Sequence, residues 1–325
     1  MRLAPILLLT ACVPLPPPPG ARPDANAIQI DTGSTPAQDA ALRPRDALAP
    51  DRAPPTPFDG GQADVMRDAE PSLDANPPDA SPRDSGLTDA GPLTCDPVQH
   101  RFPNANARDE PGDGGCPTSM ARVDNFCVDR FEASLVEVRP DGSTRPWSPY
   151  HHPGSRTVRA VSLRGAVPQG YVDGDTAARA CAQAGKRLCT DTEWLRACRG
   201  PRGLTFPYGA ARQDGVCNDA RRRHPAVELF PNDPNPFARI QDACINQLPD
   251  SVHRTAVNLG CITTEGVFDM MGNLHEWTAD PQGTFRGGFY VDTRRNGPGC
   301  LYRTTAHNTL HWDYSTGFRC CADLP

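Results

Sequence analysis

Histidines, carboxylates and cysteines are the residues of this chain whose spacing could support chemistry. His307 and His311 stand four apart, the separation at which a helix turns two imidazoles towards one metal. His275, with Glu276 or Asp292 as a carboxylate ligand, could complete such a set. The flanking Asn308-Thr309 and Trp312-Asp313 do not read as helix, and isolated histidine pairs more often lie on a surface. His100 and the pair His151-His152 read as ordinary loop histidines. Lys186 is the only lysine, so Schiff-base chemistry has a single candidate, in a segment with a structural explanation. The 13 cysteines include no C-x-x-C pair, which weakens a zinc-ribbon or thioredoxin-like reading.

The elements that must position these residues fall into three parts. Residues 1–12 read as a processing segment: Arg2 precedes the apolar run Leu3–Leu9, which is too short to span a bilayer. Residues 13–94 are rich in Pro, Asp and Ala and poor in large apolar side chains. Such a segment cannot bury enough surface to offset its ordering entropy, so it reads as a disordered linker. It carries a net charge of −7, and the stretch from Cys95 onward is neutral, so the folded part offers no electrostatic case for nucleic acid. Residues 95–325 are long enough for one domain with a real core, and their 12 cysteines, an even number in an exported chain, read as disulfides.

Within that domain, residues 174–200 predict two helices. Asp175 is the expected cap of the first, with Ala177, Cys181 and Ala184 on one face and Gly185 ending it. Thr190-Asp191-Thr192-Glu193 is a capping box that opens the second, with Trp194, Leu195 and Cys198 available to pack and Gly200 stopping it. Elsewhere turn residues dominate, and short strands and loops are expected. Arg286-Gly287-Gly288 reads as structural: two glycines allow close approach, and the arginine can meet a buried carboxylate. Trp147, Trp194, Trp277 and Trp312 read as core or rim aromatics.

Several segments, in order, carry a resemblance. They are Cys127-Val128-Asp129-Arg130-Phe131-Glu132, the run from Cys181 through Gly185-Lys186-Arg187-Leu188 to Trp194, and Phe206-Pro207-Tyr208-Gly209. Asp269-Met270-Met271-Gly272-Asn273-Leu274-His275-Glu276-Trp277, then Arg286-Gly287-Gly288 and Gly317-Phe318-Arg319-Cys320, complete the set. Together they resemble the formylglycine-generating enzyme (sulfatase-modifying factor) family over about residues 116–325. The resemblance implies an α+β, irregular, loop-rich, C-type-lectin-like fold stapled by disulfides. Leu9-Thr10-Ala11-Cys12 resembles a bacterial lipobox, which implies acylation of Cys12 and anchoring through lipid in the cell envelope. Val13 after the cysteine leans towards the outer membrane.

The resemblance also implies a site. In the family two cysteines hold Cu(I), a serine follows the Gly-Gly step, and a tryptophan lines the pocket. The matching positions here are Asp292 and Gly297, Phe289 and His275, so a copper centre is not expected. The family's calcium turn maps onto Asp269, Gly272, Leu274 and Glu276, a donor set that suits a hard cation. Asn218 and Asp219 resemble the start of its second calcium site. The same analogy pairs Cys181–Cys320 and Cys198–Cys300. Cys189–Cys321 would join the same two elements, Cys116–Cys127 would staple locally, Cys217–Cys261 would clip a long loop, and Cys95–Cys244 remain. The leading expectation is a non-catalytic binding or structural module with a peptide, protein or glycan ligand. The alternative is an oxidoreductase with a remodelled metal site, or residual formylglycine-generating activity on sulfatase-type cysteine peptides.

Overall fold

The computed structural model describes residues 94–325. The segments read as signal, lipidation site Cys12 and linker up to residue 93 lie outside the described residues. No described helix is long and apolar enough to cross a membrane.

The domain begins with a hairpin, β1 (Met120–Val123) and β2 (Phe126–Asp129), followed by β3 (Ala133–Val138), β4 (Thr144–Pro146) and β5 (Val158–Ser162). In β5 the residues Val158, Ala160 and Ser162 alternate inward, as the period of two requires of a half-buried strand. Helix α1 (Gly174–Gln183) follows, then β6 (Arg187–Leu188), α2 (Asp191–Arg199) and a short α3 (Pro225–Leu229). The C-terminal third contributes β7 (His275–Trp277), β8 (Phe285–Arg286), β9 (Arg303–Thr304), β10 (Thr316–Phe318) and β11 (Cys320–Asp323). Three small sheets result, in the orders β1-β2-β11-β6, β10-β7-β8-β9 and β4-β3-β5. This is the loop-rich α+β architecture expected from the sequence.

Both expected helices form, with one correction. The first is capped by Asp173, whose carboxylate accepts from Thr176 N at 2.7 Å, and Asp175 sits inside the first turn. Asp173 lies two residues earlier and is better placed to meet an N3 amide. The Thr190–Glu193 capping box is present in both directions. On α2 the buried residues are Trp194, Ala197 and Cys198, and Leu195 is only half-buried.

Six disulfides join the elements: Cys95–Cys244, Cys116–Cys127, Cys181–Cys320, Cys189–Cys321, Cys198–Cys300 and Cys217–Cys261. Two of them tie β11 to α1 and to the residue after β6. A core of Trp277, Phe318, Leu188 and Ala180 packs beside Cys181–Cys320, and a second core gathers Trp194, Met270 and Val128. Together with the third core of Tyr171, Tyr290 and Tyr314, these fix the strand that carries residues 275–277. Burying one such large side chain contributes about 1.5–3 kcal/mol.

Candidate functional site

The site is built on β7 and β10, which pair in parallel with His275 opposite Thr316 and Glu276 opposite Gly317. Strand alternation then sends His275 and Glu276 to opposite faces. On one face Glu276 is fully buried and takes three donors. Arg319 gives Nε and Nη2 at 2.6 Å each, and Trp194 Nε1 lies at 2.6 Å. Arg319, itself fully buried, also donates to the carbonyls of Asp129 at 2.9 Å and Phe268 at 3.0 Å.

Around this pair the turn 269–274 closes. Asp269, Gly272 and Asn273 all adopt positive φ, and a Cβ on Gly272 would lie 2.1 Å from the Asn218 carbonyl. Only glycine permits that approach. The turn thereby meets the Asn218-Asp219 segment: Asn273 N donates to Asn218 O at 2.7 Å, and Asn218 Nδ2 donates to Asn273 Oδ1 at 3.0 Å. The fold thus brings the two calcium-candidate segments into contact. Asp269 accepts from Ala256 N at 2.7 Å, and burial raises its carboxyl to about 7. Glu132, buried and bonded to Asn273 Nδ2 and to Leu274 N at 3.1 Å, is raised well above the carboxylate range by burial and by the charges of Asp269 and Glu276. Three buried carboxylates therefore share one guanidinium. Arg319 and Trp194 already occupy both oxygens of Glu276, so the oxygen donors left for a hard cation are Asp269 and the turn carbonyls. Among the described residues no three His, Cys, Asp or Glu side chains are grouped to hold a metal, so turn carbonyls would have to complete the shell. Asp219 pairs with Arg212, accepts from Thr293 Oγ1 at 3.1 Å, and keeps Oδ1 buried without a partner.

On the other face lies the position where the family holds copper. His275 is buried among Phe289, Phe285 and Tyr302, with ring centroids 4.7, 5.3 and 5.5 Å away. Ser315 Oγ donates to Asp313 Oδ1 at 2.7 Å, so it accepts from His275 Nδ1 at 3.2 Å. The other ring nitrogen, Nε2, then accepts from the Tyr302 hydroxyl at 3.3 Å. His311 Nε2 reaches Asp313 Oδ2 at 3.0 Å, and the His307 and His311 rings stack at 3.7 Å, although residues 307–311 form no helix. Burial lowers His275 to about 4, so the imidazole is neutral at neutral pH. Burial also pushes the Tyr302 phenol up to about 12.

Copper does not fit this position. All twelve described cysteines are in disulfides, so none offers a thiolate. Asp292 accepts from Arg294 N at 3.0 Å and closes a tight turn with Phe289. Gly297 has φ +109°, and a Cβ there would stand 2.7 Å from the Leu301 carbonyl. The backbone at that position has no room for a cysteine side chain. Arg286 of the Arg-Gly-Gly step is bidentate to Asp191 on α2, at 2.7 and 2.6 Å.

Sequence reading did not find Arg319, Glu132, Tyr302 or Ser315 as members of the site. Arg319 and Glu132 lie inside the quoted motifs, but no spacing rule links them to residues 43 and 141 positions away.

The fold and site define a loop-rich, disulfide-bonded α+β domain around a buried Glu–Arg pair. The chain belongs to the family of the sulfatase-modifying factor enzyme 1-like domain, whose model matches residues 79–323. A mouse (Mus musculus) protein, inactive C-alpha-formylglycine-generating enzyme 2, is 27% identical over 187 residues, 54% of each chain. The chain therefore spans about half the length of that curated relative. Among solved structures, PvdO from Pseudomonas aeruginosa is 14% identical, covering 67% of this chain and 90% of that one, with a TM-score of 0.38. The Major Tropism Determinant I1 variant is 15% identical, covering 66% and 55%, with a TM-score of 0.37.

Proposed function

We propose that this protein is an exported, lipid-anchored member of the family that works as a binding module, without the family's copper oxidase chemistry. One observation carries the reading. The positions that would hold the copper cysteines are a carboxylate used as a turn cap, Asp292, and a glycine with no room for a side chain, Gly297. Phe289 and Tyr302 pack against the remaining imidazole, and its acceptor nitrogen is engaged by the Tyr302 hydroxyl. The test is copper loading of the purified protein followed by oxygen-dependent turnover of a sulfatase-motif cysteine peptide. Neither stoichiometric copper nor an aldehyde product is expected, and formation of both overturns the reading.

A calcium ion at Asp269 and Glu276, with the carbonyls of Gly272 and Leu274, is part of this proposal, and it would have to take a Glu276 oxygen from Arg319 or Trp194. The ion would keep Asp269 ionised where burial alone keeps its carboxyl protonated to about pH 7. Its role is structural: it would hold the turn that carries β7. The melting temperature at pH 7.5 is expected to rise with Ca2+ over EDTA, and equal melting curves would remove the ion.

A second reading rests on the hydrogen-bonded run His311–Asp313–Ser315–His275–Tyr302, which could move a proton through the site of an enzyme with altered chemistry. Turnover of the same peptide that is abolished by Tyr302→Phe, without copper, would favour it.

A further inference from the structure

Two cavities on the described surface lie side by side. One, of about 430 Å³, is lined by Trp147, Trp312, His152 and Arg156, among others. The second, of about 710 Å³, is lined by Arg101, Phe102 and Arg254, among others. His100 and Tyr150 line both, so the two cavities are neighbours on either side of these side chains.

Their walls are aromatic and ordered before any ligand arrives. Trp312 stacks on His152 at 4.6 Å, and His152 Nε2 is held by the Asp173 carboxylate at 2.6 Å. Trp147 donates its indole N–H to the His151 carbonyl at 2.8 Å, and His151 stacks on His100 at 4.0 Å. Rings fixed in this way lose little freedom on binding.

The charge is one-sided. No Asp or Glu lines either cavity, and three arginines do. Arg156 is partly neutralised through Nη1 by Glu137 at 2.9 Å. Arg254 gives its N–H groups to the carbonyls of Gly165 and Pro103 at 2.9 and 3.0 Å, which leaves its charge without a carboxylate partner. Arg101 is exposed, and among the described residues it forms no ion pair.

Neither cavity suits an added peptide strand. None of the lining residues lies on a strand, so the cavities themselves offer no strand to pair a peptide backbone. Flat rings with side-chain donors and positive charge match a sugar ring that bears an anionic group: the C–H face lies on the aromatic, and the anion meets the guanidinium.

The geometry points to an anionic glycan, a polymer of sugar rings carrying carboxylate or sulfate groups, as the ligand of these neighbouring cavities, with Trp312 as the ring platform and Arg101 and Arg254 as the partners of the anion. The inference rests on the binding-module reading and names its site and ligand class.

The test is calorimetric titration of the full-length protein in EDTA, which removes calcium-dependent sugar binding from the comparison. Oligogalacturonate serves as the uronate probe and a heparin-derived oligosaccharide as the sulfated probe. A neutral cello-oligosaccharide and polyglutamate are the comparators. One or both anionic sugars bind, more weakly as salt is raised, and whichever binds identifies the anionic group. Arg101→Glu and Trp312→Ala each weaken binding about tenfold or more. Arg101→Glu changes an exposed, unpaired side chain, so the protein stays folded and the result stays interpretable. Equal binding of the neutral sugar, binding of polyglutamate in place of both sugars, no binding at all, or affinity unchanged by Arg101→Glu overturns the proposal. Peptide turnover would instead sink the binding-module reading, so the two failures are separable.

Discussion

Arg319 is the side chain on which the buried charge depends. It faces Glu276, Asp269 and Glu132 together, and its two bonds to Glu276 are 2.6 Å long. Breaking a buried pair leaves the other charge unopposed, so Arg319→Leu is expected to cost about 3–5 kcal/mol in a denaturant titration. The titrating groups make opposite contributions. Asp269 rises from 3.8 to about 7 on folding, so its contribution to stability is present below pH 3.8 and is lost as pH rises through about 7. Asp269→Asn should flatten the fall in melting temperature between those values in EDTA. His275 falls from 6.5 to about 4, so its contribution is present above pH 6.5 and is lost as pH drops through about 4. His275→Gln should reduce the acid-side loss, and an unchanged acid limb would remove His275 as its source.

At the scale of elements, β11 is held by two neighbouring crosslinks. Cys181–Cys320 and Cys189–Cys321 span 139 and 132 residues and end on adjacent cysteines. With either bridge in place, the other closes only a short effective loop. Removing one by a double Ser substitution should therefore cost about 2–3 kcal/mol, and removing both about 7 kcal/mol, more than twice the single effect. Chemical denaturation of the three variants checks this non-additivity. The helix that carries Cys181 and the helix that follows Cys189 were legible in the sequence, because caps and stop glycines act within one turn: Thr190 with Glu193, and Gly185 and Gly200. The first cap was misplaced to Asp175 because two aspartates flank one glycine and composition does not say which meets an amide. The aromatic packing at His275 was not legible. Phe285, Phe289 and Tyr302 lie in three separate segments whose spacing follows no period.

For the whole molecule, the uneven charge assigns roles. The net −7 lies in residues 13–94 and the remainder of the chain from Cys95 is neutral, yet the cavity at Arg101 and Arg254 is locally positive. Capture of the anionic glycan proposed above would be set by local field, not by net charge. If Cys12 carries lipid, Cys12→Ser should move the protein from the membrane fraction to the soluble fraction on ultracentrifugation. Retention in the membrane fraction would remove the anchor.

The sequence by itself determined the family, the α+β class and three of the four ends of the two main helices. These are matters of residue identity and of interactions within a few positions. The tertiary structure decided that Arg319 answers Glu276 and that Gly297 has no room for a side chain. It also decided that Trp147 and Trp312 line one cavity and Arg101 and Arg254 its neighbour. Those outcomes depend on segments far apart in the chain meeting at ångström distances, and no local pattern of side chains encodes such a meeting.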